Sequence, residues 1–385
     1  MHPFFDEDQL SLCTRANEWV QKKLFAPSDR NKAVEQRAIH LANELGGEAF
    51  LKYTIPQDFG GVRPRIQARD LCILREQLAR GEALADTVFA MQALGSYPIT
   101  LAGNEKQRNR FLPAIANGDG IAAFALTEAE AGSDAAALQM RATRRGKNFC
   151  LTGTKQFISN AGIAHSYVVF ASTAPEKQSK GISAFVLARD TPGLAVKEKT
   201  ELLSPHPIGV IAFDNCVVSE DTLVGMEGQG LKIAFETLDL LRCTVGAAAV
   251  GFAQRALEEA IRYSQARRQF GRPIAEFQGI EFKLAETATE LEAARLLVYQ
   301  AAWAHDCAAD DAKQKASMAK LYATEAAQRI VDQALQIHGA NGLIAGSIME
   351  RLYRDVRALR IYEGTSEIQK LIIARTLLRK PRIED

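Results

Sequence analysis

The stretch FCLTGTKQFIS, Phe149–Ser159, decides how the chain divides, because it is the first of several segments that lack helical spacing. Four similar segments follow it: SYVVFAST, GISAFVLARD, LAVKEK and IGVIAFDNCVV. They are rich in Val, Ile and Phe and are separated by Gly, Pro, Asn and Asp, which is typical of β-strands. We predict about six or more strands between residues 120 and 225. Because no long helical pattern interrupts them, we expect no βαβ nucleotide-binding unit.

The residues on either side of this β region have helical periodicity. Before it, apolar residues recur at helical spacing, with breaks predicted at APSD (26–29), IPQDFGG and GSYP. After it, VGAAAVGFA favours close helix packing, and one apolar stripe predicts a long buried helix face: Ile280, Leu284, Ala288, Leu291, Ala294 and Val298. We therefore expect an α+β multidomain protein with an N-terminal helical domain (1–118), a middle β domain (119–227) and a C-terminal four-helix bundle (228–385).

Charge and composition exclude several classes of function. The 47 Lys and Arg are balanced by 46 Asp and Glu, which gives no electrostatic reason to expect nucleic acid or an anionic membrane as a partner. No run of about 18 apolar residues occurs, so no membrane span is expected. The six cysteines are scattered and lack zinc-ligand spacing, which predicts reduced thiols and no metal site.

The acidic start MHPFFDEDQL does not have the composition of a secretory signal or a transit peptide. Together with the scattered cysteines, it predicts a cytoplasmic protein, or a mitochondrial matrix protein if the chain is a processed eukaryotic one.

Common catalytic motifs are missing from the sequence. It contains no P-loop, no H-E-x-x-H and no G-x-S-x-G, and GMEGQG (225–230) lacks the spacing of a dinucleotide fingerprint. We interpret GMEGQG as a loop before a helix. Four other stretches carry side chains suited to ligand binding or catalysis, each with an ordinary structural alternative.

Three of these stretches are suited to binding a cofactor. FALTEAEAGSD (124–134) offers backbone N–H groups and the hydroxyls of Thr127 and Ser133 to a polar ligand, or is a polar turn. KQFISNAG (155–162) places Phe157 and Ser159 on one face of a strand, where they could hold a flat ring or form a half-buried strand. ARRQFGRPIAEFQ (266–278) sets arginines beside a Gly/Pro turn, for a phosphate or for helix caps.

The fourth stretch is RIYEGTSEIQ, Arg360–Gln369. Ser366 and Gln369 have the spacing of a capping box, which predicts that a helix begins at Ser366. Glu363 comes too early to share in this cap. It is either an exposed acid near a helix N-terminus or a carboxylate in an apolar pocket, where desolvation would raise its pKa toward that of a useful base.

These four stretches, in this order and at these separations, resemble the acyl-CoA dehydrogenase family, and the resemblance covers essentially the whole chain. Further matching segments are IPQDFGG (55–61), GNEKQRNRFLPAIANGD (103–119), LDLLR (238–242) and QIHGANG (336–342). The resemblance implies a helical domain, a β-barrel domain and a helical bundle. It also implies FAD as cofactor, an acyl-CoA thioester as substrate and an electron-transfer flavoprotein as acceptor.

The resemblance assigns most of the predicted site to FAD. In the β domain the implied contacts are Phe124, Leu126, Thr127, Ser133, Phe157, Ile158 and Ser159, with Phe157 beside the flavin and the Ser159 hydroxyl near its N5. Thr365, Ser366 and Glu367 are also implied contacts. A neighbouring subunit would hold the pyrophosphate and adenosine through Arg267, Phe270, Gln278, Gln336, Ile337, His338, Gly339 and Ala340. A cofactor shared in this way implies a homo-oligomer, expected to be a tetramer built as a dimer of dimers.

For the substrate, the resemblance implies acyl-CoA contacts from Ser133, Asp239, Arg242 and Gly364, and it makes Glu363 the base that removes the α proton. Some members carry this base on the helix holding LDLLR, at the position of Leu241, which cannot take a proton. The expected product is a trans-2-enoyl-CoA, formed as the β carbon delivers a hydride to flavin N5.

One segment departs from the family pattern. Many members have Gly-x-Arg-x-Ser/Thr where KTELLSPHPIGVIAF, Lys199–Phe213, has two prolines around His206. No reacting group is lost by this departure. The alternatives to a dehydrogenase are an enoyl-CoA reductase or an acyl-CoA oxidase of the same fold and, in a different class, a non-catalytic acyl-CoA-binding or complex-stabilising member.

Overall fold

The structure is a computed structural model that describes residues 4–25 and 32–379. The first three residues of MHPFFDEDQL, the predicted break at APSD (26–29) and the last six residues of the predicted C-terminal domain therefore lie outside the described residues. The chain forms two compact units, each built from separate parts of the sequence. The helical unit comprises the described residues of Met1–Ser28, Gln67–Asp86 and Arg242–Asp385, and the sheet unit those of Asp29–Ile66 and Thr87–Leu241.

Along the chain, helices come first, then strands, then helices again. The N-terminal helices are α1 (Glu7–Lys23), α2 (Val34–Gly47), α3 (Ala68–Gly81), α4 (Ala83–Ala102) and α5 (Glu105–Asn117). The strands are β1 (Ala122–Ala125), β2 (Arg141–Arg145), β3 (Asn148–Ser159), β4 (Ser166–Ser172), β5 (Ile182–Ala188), β6 (Leu194–Lys199), β7 (Ile208–Ser219) and β8 (Leu223–Val224). Then follow α6 (Gly230–Ala266), β9 (Arg268–Gln269), β10 (Arg272–Pro273), α7 (Gln278–Asp306), α8 (Ala312–His338), α9 (Ile348–Arg357) and α10 (Ser366–Arg379).

The sheet unit contains an eight-stranded sheet in which the strands run β6-β7-β3-β2-β4-β5-β8, and β1 pairs with β4. Side chains of this sheet share a core with helices α4 and α5, as where Phe170 and Val186 pack in one cluster with Ile99 and Leu112. The five strand segments singled out in the sequence all form strands. The sequence missed β1, whose AAFA has low β propensity, and β2, whose RATRR is polar and short.

One predicted break is wrong. GSYP does not end a helix, because α4 runs through Pro98 to Ala102. The residues around Pro98 are largely buried, Ile99 completely so, and this packing stabilises the helix despite the main-chain hydrogen bond that proline cannot donate. Tertiary packing has outweighed local propensity here.

In the helical unit, α7 packs against α8 and α3, and α8 also contacts α9 and α10. The predicted apolar stripe on α7 is buried at Leu291, Ala294 and Val298, but Ala288 is exposed, so the prediction of a continuous buried face is wrong. The buried half is the part covered by α3, where Tyr299 donates to Glu76 at 2.7 Å.

The segment VGAAAVGFA lies in the middle of α6, and its side chains are buried. Its two glycines lie where neighbouring helices come close. A Cβ built at Gly246 would lie 2.8 Å from Val298 Cγ2, and one at Gly251 would lie 2.2 Å from the main-chain oxygen of Glu76 on α3. The small residues thus allow the close helix contact that the sequence predicted.

Among the residues that the structure describes, no helix combines the length and apolarity needed to cross a membrane. The same residues include no group of three or more His, Cys, Asp or Glu side chains placed to hold a metal ion.

We expect Gly251→Ala to destabilise the protein by about 1–3 kcal/mol, because the new methyl group overlaps main-chain atoms of α3 that cannot move aside easily. Urea unfolding followed by circular dichroism measures the change. Gly279→Ala is the matched control, since a Cβ at Gly279 in α7 meets nothing within 4 Å. That variant should be as stable as the wild type or slightly more stable. Equal stability of both variants would contradict the close contact.

Candidate active site

Glu363 lies in the short connection before α10, in a backbone conformation that is unusual for a side chain with a Cβ. Its φ is +53°, and Gly364 after it has a φ of +87°. A left-handed conformation at a residue other than glycine costs about 1–2 kcal/mol and persists only where neighbouring groups hold it. Lys320 supplies this restraint, because its Nζ donates to the main-chain oxygen of Tyr362 at 2.6 Å and also to that of Gly364.

Within the described residues, the Glu363 carboxylate has an oxygen that is left without a hydrogen bond. Its Oε2 is buried and has no hydrogen-bond partner among the described residues. No described residue accepts a hydrogen bond from its main-chain N–H either. Burial raises the pKa of Glu363, although nearby Arg75, Lys320 and Arg242 act in the opposite direction. A buried, unpartnered carboxyl group with a raised pKa is suited to accept a proton from a bound molecule.

Three cations surround Glu363, and they are not equivalent. Arg75 on α3 is 2% exposed and forms a two-pronged ion pair with Asp86, at 2.8 and 2.9 Å, while its Nη1 donates to Thr244. Its charge is therefore matched by Asp86. Lys320 is buried, and no carboxylate of residues 4–25 and 32–379 is in hydrogen-bond range of it; burial lowers its pKa to about 8 even though Glu363 favours its charged form. Arg75 and Lys320 are thus the two cations that most oppose the effect of burial on the pKa of Glu363, and of these Lys320 also bonds to the main chain on either side of it.

The predicted capping box is wrong in its details. Helix α10 begins at Ser366, but the hydroxyl that accepts from the first turn is that of Thr365, which accepts from Ile368 N at 3.3 Å. The Ser366 hydroxyl instead donates to Glu325 at 2.7 Å, and the Gln369 side chain donates to the main-chain oxygen of Gly364. The cap is displaced by one residue because Glu325 of α8 competes for Ser366.

In the sheet unit, a β-bulge exposes the ring of Phe157. The pairing of β3 with β7 shifts between Lys155 and Ile158, so β3 has one extra residue there. Phe157 has a φ of +55° and its side chain is 50% exposed, whereas Ile158 is buried and Ser159 is half-buried. Phe157 and Ser159 therefore offer an apolar ring and a hydroxyl beside each other. Ile158 can reach a ligand only through its main chain.

The segment FALTEAEAGSD is fixed to β3 by a buried ion pair. Lys155, which is fully buried, donates to Glu128 at 2.7 Å and to the Leu126 main-chain oxygen at 2.9 Å. Glu128 also accepts from the main-chain N–H of Met140, and Gln156 N donates to Thr127 O at 2.9 Å. These contacts place Thr127 next to the strand that carries Phe157.

The side chains predicted in this segment differ in how open they are to a ligand. Phe124 packs on Phe170 with ring centroids 4.9 Å apart, and Leu126 is buried, so both belong largely to the core. Thr127 is half-buried and Ser133 exposed. Within the described residues neither of their hydroxyls has a hydrogen-bond partner. The free hydroxyls, the Ser159 side chain and the exposed Phe157 ring form a donor set that fits the flat, amphipathic ring of a flavin.

The residues predicted to bind FAD from a neighbouring subunit cluster at one end of the helical unit. Tyr263 near the end of α6 stacks on His338 at the end of α8, at 4.3 Å, and Asn341 donates to the Tyr263 hydroxyl. Arg267 follows α6 directly, Gln336–His338 end α8, and Gly339 and Ala340 come directly after it. Between α6 and α7, the β9–β10 hairpin carries Phe270 at its tip, 93% exposed with a φ of +51°. Gln278 begins α7.

The residues predicted to bind the substrate come from three parts of the chain: Ser133 lies in the segment between β1 and β2, and the others are on α6 and in the connection before α10. Asp239 and Arg242 lie one turn apart on α6, the first half-buried and the second 5% exposed. Gly364 adjoins Glu363, and its main-chain oxygen is occupied by Lys320 and Gln369.

Sequence reasoning missed the residues that support the site. Lys320 has a recognisable signal, since it is a lone cation among small residues at helical spacing on α8, such as Ala316 and Ala323, all of them buried. Lys155 likewise is a charge within an otherwise apolar strand pattern. The partnership of Arg75 with Asp86 across a helix boundary has no such local signal.

The order of helices, an eight-stranded sheet and helices, together with this donor set, defines the class of acyl-CoA dehydrogenase-like proteins. Comparison with known families gives three matches: "Acyl-CoA dehydrogenase, N-terminal domain" at residues 6–119, "middle domain" at 123–216 and "C-terminal domain" at 228–378. An "Acyl-CoA dehydrogenase" of Bacillus subtilis is 38% identical over 375 residues, 97% of this chain and 98% of that protein.

Two further relatives cover almost the full chain. A "3-(aryl)acrylate reductase" of Clostridium sporogenes is 36% identical over 98% of this chain and 100% of that protein. The solved structure of butyryl-CoA dehydrogenase from Megasphaera elsdenii is similar with a TM-score of 0.92 and 33% identity, covering 97% of this chain and 99% of that one. The chain therefore belongs to the acyl-CoA dehydrogenase family of FAD-dependent oxidoreductases. The predicted family, fold class, enzyme class and cofactor are confirmed.

We expect Lys320→Met to raise the pKa of Glu363 further, because the variant removes a cation that favours the carboxylate. A base works only when deprotonated, so the acid limb of the pH profile of kcat/KM should move to higher pH. Lys370→Met, which removes an exposed lysine of α10, is the control and should leave the acid limb in place. An unmoved acid limb in Lys320→Met would show that Lys320 does not act on the base.

Proposed function

We propose that this protein dehydrogenates an acyl-CoA thioester to a trans-2-enoyl-CoA, with Glu363 removing the α proton. The observation that carries the proposal is that Oε2 of Glu363 is buried and has no hydrogen-bond partner among the described residues. The residue lies in a strained connection whose main-chain oxygen at Tyr362 accepts a hydrogen bond from Lys320. A strained residue with an unsatisfied buried oxygen costs stability, and such costs concentrate at reactive sites. FAD, when bound, supplies the chemistry of hydride acceptance from the β carbon.

The α C–H bond is only weakly acidic, and residues around Glu363 can stabilise the charge that forms when its proton is removed. Removing this proton places negative charge on the thioester oxygen, which must be stabilised as it develops. The unpaired main-chain N–H of Glu363 is a donor of the required kind. Arg75, Lys320 and Arg242 add positive potential around the carboxylate, which opposes the rise in the pKa of Glu363 that burial causes.

The proposed FAD contacts come from residues of both units. Phe157 and Ser159 of β3 would hold the ring, and Thr127 and Ser133 would offer hydroxyls to its polar edge. At the far end of the cofactor, a neighbouring subunit would contribute Arg267, Phe270, Gln278 and Gln336–Ala340. Thr365–Glu367 would also contact FAD. Ser133, Asp239, Arg242 and Gly364 would contact the acyl-CoA.

The reverse reaction, reduction of an enoyl thioester, uses the same residues with the proton moving the other way. The similarity to a 3-(aryl)acrylate reductase makes arylacryloyl thioesters a necessary part of any substrate panel. We propose dehydrogenation as the main direction, with an electron-transfer flavoprotein as the electron acceptor. We also propose a reducing compartment such as the cytoplasm, because the six cysteines are free thiols, which persist under reducing conditions.

The central test is Glu363→Gln, assayed by bleaching of the flavin absorbance with a panel of straight, branched, cyclic and aryl acyl-CoA thioesters. The variant should remain yellow, because the amide has the same shape, and should lose the rate of bleaching by about 10²- to 10⁴-fold or more. Glu286→Gln, on the exposed surface of α7, should bleach at the wild-type rate. Bleaching that survives in Glu363→Gln would place the base elsewhere, and a colourless wild type that takes up no FAD would defeat the proposal.

We further propose a homotetramer, because the β9–β10 hairpin presents Phe270 almost fully to solvent at a strained main-chain angle. Light scattering should give four times the mass of one chain. Phe270→Ser should weaken FAD binding about three- to tenfold, the effect of one lost aromatic contact. Val217→Ser, which removes another exposed apolar side chain, this one from β7, should not change FAD binding. A monomer that binds FAD tightly would refute the shared cofactor.

A further inference from the structure

The segment between β6 and β7, residues 200–207, is the part of the chain that departs most from the family pattern, and it contains His206. Main-chain contacts fix it beside the end of β3. Ser159 is paired with Ile208 of β7, Asn160 N donates to Pro207 O at 2.7 Å, and Thr200 N donates to Ile208 O at 3.0 Å. His206 is therefore held two residues from the strand partner of Ser159.

The imidazole of His206 lies between a carbonyl and a hydroxyl. Its Nδ1 is 3.2 Å from the main-chain oxygen of Ser204, and its Nε2 is 3.2 Å from Ser159 Oγ. A carbonyl oxygen only accepts, so Nδ1 carries the proton. In a neutral ring Nε2 is then an acceptor, and the Ser159 hydroxyl must donate to it.

Burial also favours the neutral form of the ring. Burial lowers the pKa of His206 below its ordinary value of 6.5, although the bond to the Ser204 carbonyl acts in the opposite direction. The hydroxyl proton of Ser159 is thus directed toward His206, and the Ser159 oxygen has only lone pairs left for a ligand. Beside the exposed ring of Phe157, this oxygen is a hydrogen-bond acceptor.

The direction of this hydrogen bond discriminates between the two redox forms of a flavin. N5 of the oxidised ring has a lone pair and accepts, whereas N5 of the reduced ring carries a hydrogen and donates. An oxygen that can only accept bonds the reduced form and leaves the oxidised form without a partner. A freely rotating serine hydroxyl would serve both forms.

We propose that His206 is a positioning residue that turns the Ser159 hydroxyl away from the cofactor, so that the Ser159 oxygen stabilises reduced FAD over oxidised FAD. The inference rests on the proposed function, which sets the flavin against Ser159. It gives the 200–207 segment a role in setting the midpoint potential of the bound flavin.

The first test is the midpoint potential of the bound flavin. His206→Leu frees the Ser159 hydroxyl to donate to the oxidised ring, so the potential should fall. One hydrogen bond corresponds to about a three- to tenfold change in the ratio of the two forms, or about 14 to 30 mV for a two-electron couple. His206→Gln keeps an acceptor near the position of Nε2 and should restore most of the wild-type potential.

A double-mutant cycle shows whether His206 acts through Ser159. In a Ser159→Ala background, His206→Leu should leave the potential unchanged, because there is no hydroxyl to redirect. The same drop in both backgrounds, or no drop in the single variant, would overturn the proposal.

The second test does not depend on the flavin. In protein labelled with ¹⁵N-histidine, the His206 signals, assigned by their loss in His206→Gln, should be those of a neutral ring protonated at Nδ1. Protonation at Nε2 would overturn the proposal. A protein that binds no FAD would overturn both proposals, whereas one that is bleached by acyl-CoA but has a potential independent of His206 would overturn this one alone.

Discussion

The buried amine of Lys320 hydrogen-bonds to the two main-chain carbonyls that flank Glu363, and the geometry of the site depends on it. Without it the left-handed angle of Glu363 would be an uncompensated cost, and both carbonyls would lose a partner in a place that water reaches poorly. The same cation favours the ionised form of the carboxylate it positions. One side chain of α8 thus holds the main chain around the carboxylate and also contributes, with burial, Arg75 and Arg242, to its pKa.

The sheet unit has a comparable arrangement around a different pair of charges. Lys155 and Glu128 are buried together, and both also bond to main-chain groups, so neither charge is left uncompensated. Their contacts fix FALTEAEAGSD against β3, where the bulge presents Phe157 outward. In both units a buried lysine shapes the main chain beside a residue whose side chain remains available, and this is how a fold holds strained functional positions without losing rigidity.

Prediction from the sequence succeeded where the signal was local. The strand β6 has the bounds of the segment LAVKEK, and β3 and β7 contain the segments predicted for them, because alternation and β-branched residues act within a few positions. It failed where a distant group intervened. Ser366 is diverted from its cap by Glu325, and Pro98 is carried through α4 by burial of its neighbours. The exposure of Ala288 likewise reflects which part of α7 another helix covers.

By itself, the sequence determined the order of helices, strands and helices, the family, and the separation of Glu363 from the cap that follows it. These depend on spacing along the chain, which is fixed by covalent structure and local propensity. Only the tertiary structure decided that Glu363 Oε2 is buried without a partner, that Arg75 is matched by Asp86, and that His206 meets Ser159. Each depends on groups that are not neighbours in the sequence, because whether a charge is paired or buried depends on which groups the fold brings within a few ångströms.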